Sequence, residues 1–154
     1  MRIWLALFAA LAMWSPALAF DDPKALADAI YAPYVRLGAS ADEDPAQYYS
    51  ERLRGLVSAN ALGQSEGKAE PIEFNPLIGA QSSLLRDLAI SAPVVNRDRA
   101  LVTVSFTNFD HAALMSLSLV KEADGWKVDD IASFGDGENW LLSWLLQYDP
   151  FAIR

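Results

Sequence analysis

The sequence contains no cysteine and a single histidine, His111, among its 154 residues. Without a thiol there can be no thiol nucleophile, no disulfide, and no diacylglyceryl anchor, which needs a cysteine next to its cleavage site. With one imidazole a histidine-rich zinc site is excluded too. Basic residues are also scarce. Twelve Lys and Arg stand against 20 Asp and Glu, a formal charge of −8 that repels phosphate and argues against nucleic acid as a partner. No apolar run reaches the roughly 20 residues of a membrane-spanning helix. What remains is an ordinary globular composition, 53% hydrophobic and 21% charged. Its length suits one domain of roughly 100–200 residues.

Residues 1–19, MRIWLALFAALAMWSPALA, carry one positive charge at Arg2, an apolar stretch over 3–14, then Ser15-Pro16 and a small-residue ending. That is the layout of a secretory signal peptide, with Ala17 and Ala19 at the −3 and −1 positions of cleavage. As a helix the apolar stretch reaches only about 18 Å, short of a hydrocarbon core of about 30 Å. Cleavage after Ala19 leaves 135 of the 154 residues as one domain, 20–154, with the formal charge at −9. The expected location is periplasmic or secreted, with no membrane anchor after cleavage. A chain of that length buries roughly two-thirds of its unfolded surface and can fold without disulfides.

Asp22-Pro23 opens a helical pattern, an N-cap followed by a proline at a position that needs no amide donor. Leu26, Ile30, Tyr34 and Leu37 recur along one face, Pro33 predicts a kink or break, and Gly38 predicts the stop. The same device at Asp44-Pro45 predicts a second helix carrying Tyr48, Tyr49, Leu53, Leu56, Val57 and Ala61 and ending at Gly63. Residues 64–70 read as a surface loop and 71–83 as an ordered one.

Beyond Leu84 the period changes to two. Residues 87–96, 99–109, 114–122 and 126–132 predict four consecutive strands of an antiparallel meander, punctuated at 96–98, at Asp110-His111 and at Asp124-Gly125. Val102, Val104 and Phe106 share one face, as do Met115, Leu117 and Leu119. Pairing Val104 with Leu119 and Phe106 with Leu117 aligns these faces and leaves a second face lined by hydroxyls. Residues 139–148 predict a last helix with Trp140, Trp144 and Tyr148 on one stripe, ended by Pro150. Helices followed by a hairpin-built sheet make an α+β domain.

Two strings, IEFNPLIGAQ at 72–81 and LVKEADGWKVDDI at 119–131, resemble an exported bacterial family, domain of unknown function 3828, of the nuclear transport factor 2-like (cystatin-like) superfamily. The resemblance runs from the first helix to Ile131. It implies a curved antiparallel sheet wrapped around the helices as a cone, often with a cavity, and it implies no reaction. Where such proteins commonly carry an aspartate after the loop glutamine, Gln81 is here followed by Ser82 and Ser83.

Each candidate for chemistry competes with a packing role. His111 beside Asp110 reads as a solvated turn rather than a catalytic pair. Strand alternation sends one of Asp129 and Asp130 inward, and an inward carboxyl would titrate high; superfamily isomerases use such a group as acid or base. The competing role is an acceptor that fixes loop amides and the adjacent helix. Asp136-Gly137-Glu138-Asn139 lacks the calcium-loop spacing and reads as a helix cap at or near Asp136. Trp140 and Trp144 read as core, or as the wall of a pocket.

The leading expectation is therefore an exported non-catalytic module that binds an unknown small molecule or periplasmic protein, with Gln81, Asp130, Trp140 and Trp144 as candidate contacts. An enzyme using Asp130 with Tyr48 or Tyr49, and an acidic inhibitor of a basic periplasmic enzyme, are the alternatives. No metal or other cofactor is expected.

Overall fold

A computed structural model describes residues 19–35, 44–135 and 137–148. Over these residues the protein is an α+β domain with a six-stranded antiparallel sheet. Helix α1 spans Pro23–Val35 and α2 spans Glu51–Ser65. They precede β1 (Leu85–Ile90), β2 (Val94–Asn96), β3 (Arg99–Asn108), β4 (His111–Glu122) and β5 (Gly125–Ser133), which are followed by β6 (Trp140–Leu141) and the single turn α3 (Leu142–Leu145). The strand order is β1-β3-β4-β5-β6, with β2 also on β3 beside β1. Among the described residues no helix is long and apolar enough to cross a membrane.

The α1 helix starts as its sequence predicts. The Asp22 carboxylate accepts from the amides of Lys24 (3.2 Å) and Ala25 (3.3 Å). Leu26, Ile30 and Tyr31 are buried, and Pro33 lies inside the helix, which continues to Val35. The expected stop at Leu37-Gly38 lies outside the described residues. The second expected helix is split in two. Asp44 caps a 3-10 turn, Pro45–Tyr48, after which Tyr49 is extended and bridges to Val128. Ser50 then caps α2 by accepting from the Leu53 amide at 3.0 Å. Gly63 lies within α2, and Gly67, at φ +69°, takes the left-handed position instead.

Two strands more than expected are present, because 87–96 forms two strands that both pair with β3 and because Trp140 and Leu141 pair with Ser133 and Ala132. The expected last helix thus shrinks to one turn, and Trp140 and Trp144 do not share a helical stripe. The β3–β4 register differs as well. Val104 opposes Met115 rather than Leu119, a slip of four residues. The cause is a two-residue turn, Phe109-Asp110, with Phe109 at φ 54° and Asn108 opposite His111. An even slip keeps every side chain on its predicted face. Val102, Val104, Phe106, Met115, Leu117 and Leu119 are all buried in the core, while Thr103 and Ser116 pair on the outer face.

One sheet irregularity decides where the carboxylates go. Leu119 opposes Val128 and Ser118 opposes Asp130, leaving Asp129 as the extra residue of a β-bulge. The bulge inverts the phase of β5, so Trp126 and Val128 before it and Ile131 after it are all in the core. Trp126 is 4% exposed. Its amide donates to the Phe20 carbonyl at 2.8 Å, and the Phe20 ring lies 6.3 Å from that of Tyr48. Gly125, at φ +115°, permits this: a Cβ there would lie 2.7 Å from the Phe20 nitrogen and oxygen.

Candidate functional site

The ordered loop that precedes β1 is built from its own polar groups. Asn75 accepts from the Leu77 amide at 2.9 Å and donates to the Tyr34 hydroxyl at 2.7 Å, and its carbonyl takes the Gly79 amide at 2.9 Å. The Tyr31 hydroxyl donates to the Leu77 carbonyl at 2.7 Å, and burial pushes its pKa well above the usual phenol value. Asn108, buried at the end of β3, accepts from the Leu84 amide at 2.8 Å and donates to the Ser82 carbonyl at 3.0 Å. These bonds hold the loop beside the β3–β4 turn without closing over it.

On the other side the chain leaving β5 is pressed onto β4. The Phe134 amide donates to the Leu114 carbonyl at 2.8 Å. At Gly135 a Cβ would meet the Ala112 carbonyl oxygen at 3.0 Å, so a side chain there would force the strands apart. Trp140 then stands beside Phe74, ring centroids 5.1 Å apart and tilted by 49°.

Between loop, turn and β6 lies an open cleft of about 870 Å³. Phe74, Ile78, Phe109, Met115 and Trp140 give it apolar walls; Gln81, His111 and Glu138 are among its polar groups, with Ser82, Asn108 and Ser133. Three residues singled out in the sequence for unrelated reasons, Gln81, His111 and Trp140, therefore meet here. His111 is not a turn residue but the first residue of β4. Phe74 drew no attention in the sequence and Met115 was read there only as core, because an apolar residue that faces a cleft looks the same in a sequence as one that faces the core.

No family model, curated protein or solved structure matches this chain.

The remaining candidates lie away from the cleft. Asp129 and Asp130 do not point to opposite sides as simple alternation predicts. The bulge turns both toward Arg52, whose guanidinium is 3.0 Å from the Asp129 carboxylate and 3.8 Å from that of Asp130. Asp129, 7% exposed, also accepts from the Ser50 hydroxyl and from Arg99, each at 2.8 Å. Burial alone would raise its pKa, but the hydrogen bonds from Ser50 and Arg52 and the positive charges beside it hold the carboxyl below its ordinary range. Asp130 accepts from the amides of Ile131 (2.9 Å) and Ser143 (3.0 Å) and from the Ser143 hydroxyl, tying β5 to α3.

Tyr48 and Tyr49 are both buried. Burial, with Asp44 and Tyr34 adding to it, pushes the Tyr49 hydroxyl well above the usual phenol value, which makes it a poor base at neutral pH. Trp144 is 51% exposed and stacks at 5.7 Å on Tyr148 rather than lining the cleft. Among the described residues no group of three or more His, Asp or Glu could hold a metal ion. Asp136, the expected cap, lies outside them.

Proposed function

We propose that this protein is an exported, non-catalytic binding module that takes a small amphipathic molecule into the cleft between the 74–82 loop and the β3–β4 turn. The reading includes removal of residues 1–19, a periplasmic or secreted location, and a sheet curved into a cone around the helices, as in the domain of unknown function 3828 family that the sequence resembles. The cleft itself carries the reading. Its volume of about 870 Å³ falls within the roughly 300–1,000 Å³ common for small-molecule sites, and mostly apolar walls with a few polar groups are the usual lining of such a site. The non-catalytic part rests on the carboxylates. Asp129 and Asp130 accept hydrogen bonds from Ser50, Arg52, Arg99 and Ser143 that tie the fold together, and neither of them lines the cleft.

The test is a fluorescence titration with N-phenyl-1-naphthylamine, a neutral apolar probe. Saturable binding to one site is expected, abolished by Ala113→Trp, which fills the cleft, and retained by Leu101→Ser on the opposite face of the sheet. Circular dichroism checks that both variants fold. Absence of binding, or binding that survives Ala113→Trp in a folded protein, overturns the proposal.

A further inference from the structure

We infer that the cleft selects an organic cation, an alkylated ammonium carried on an apolar body. This rests on the reading of the cleft as a ligand site and adds the charge of the ligand to it. Three aromatic side chains line the cleft, Phe74, Phe109 and Trp140. Phe74 and Trp140 meet at 49° with centroids 5.1 Å apart, two walls of a partial cage. Opposite a cage of that kind a cation is drawn to the negative faces of the rings, and quaternary ammonium groups are the usual guests.

The charges agree with the rings. Among the described lining residues Glu138 is the only one formally charged at pH 7, and none is Lys or Arg. The Arg86 guanidinium is engaged with the Phe109 carbonyl and, at 3.1 Å, with the Asp110 carboxylate. Glu138 is exposed on the rim, where it meets an arriving cation without first being desolvated. The formal charge of −8 over the whole chain steers cations toward the protein and anions away. Gly79 adds room. At φ +65° it turns the loop over the indole, and even a Cβ there would lie 3.6 Å from the Trp140 ring. The apolar floor, Ile78 and Met115, suits a hydrocarbon body rather than a small inorganic cation.

The experiment compares decyltrimethylammonium, decyl sulfate and a neutral decyl glycoside, each below its micelle-forming concentration, by isothermal titration calorimetry on the purified exported protein. The cation should bind roughly tenfold tighter than the sulfate, with the glycoside between them. Glu138→Gln should remove most of that preference, Leu101→Ser on the opposite face of the sheet should leave it unchanged, and Trp140→Leu should weaken the cation more than the glycoside. Added salt should narrow the gap between the charged probes. Equal or tighter binding of the sulfate, or a preference unchanged by Glu138→Gln, overturns the inference while the cleft stands as a ligand site. Failure of all three probes and of the neutral dye overturns both.

Discussion

The two ends of the β3–β5 sheet use polar groups in opposite ways. Around the bulge, toward the Arg99 end of β3, charged side chains face one another: Asp129 meets Ser50, Arg52 and Arg99, and Asp130 holds the first turn of α3. At the other end His111, Gln81 and Glu138 stand at the rim of an apolar cleft and face solvent. A carboxylate that already accepts several hydrogen bonds fixes the backbone. A polar group beside an apolar wall can orient something that arrives. The contrast separates two classes of residue that look alike in a sequence, and it can be broken by substitution.

The largest effect should come from Trp126→Ala on the bulge side, a loss of about 3–5 kcal/mol in urea unfolding, as for other large-to-small core changes. Gly125→Ala should follow. Its positive φ and the close approach of Phe20 imply a loss of about 1–3 kcal/mol, read as a lowered thermal midpoint. Asp130→Ala should cost a similar or slightly smaller amount, about 1–3 kcal/mol, because two amides and a hydroxyl lose their acceptor. Asp130→Asn should cost less than the alanine change. Both amides converge on one oxygen, so an amide side chain can keep that oxygen in place and donate to Ser143.

The Asp129 carboxyl, held below its ordinary range, makes the folded state bind its proton less readily than the unfolded chain does. That contribution is complete above the unfolded value of about 3.9 and fades as the pH falls through the lower folded one. Asp129→Asn should therefore flatten the acid side of a plot of thermal midpoint against pH, below about pH 4. At the cleft, by contrast, His111→Ala and Glu138→Gln should leave stability within about 0.5 kcal/mol of the parent in guanidinium unfolding. A large loss from either would mean that the cleft residues also serve the fold.

The elements that could be read from the sequence were those set by local period. The core faces of β3 and β4 follow from the alternation of Val102, Val104 and Phe106 and of Met115, Leu117 and Leu119, and Trp126 is buried as its place after a hairpin turn implies. Register was not readable, because it depends on a turn in which a phenylalanine takes the left-handed conformation usually left to Gly, Asn or Asp. The bulge was hidden for a related reason: nothing in Val128-Asp129-Asp130-Ile131 marks the extra residue, so alternation assigned the two carboxylates to opposite sides. The terminal helix failed through tertiary override. An apolar stripe at helical spacing predicts helix, but Trp140 and Leu141 gain more by pairing with β5. The cleft is non-local, formed where the 74–82 loop, the β3–β4 turn and β6 converge, and so its residues could be named singly but not as a group.

The contact between Phe20 and the sheet sets a tolerance on trimming of the chain's beginning. The Phe20 carbonyl serves as a rung of the β5 ladder, while Ala19 is exposed. Trimming that stops short of Phe20 leaves this hydrogen bond and the ring contact in place. Removal of one residue more would take away the rung and the ring on Tyr48 together. A protease advancing toward Phe20 must therefore break its hydrogen bond to Trp126 and its contact with Tyr48 before it can proceed.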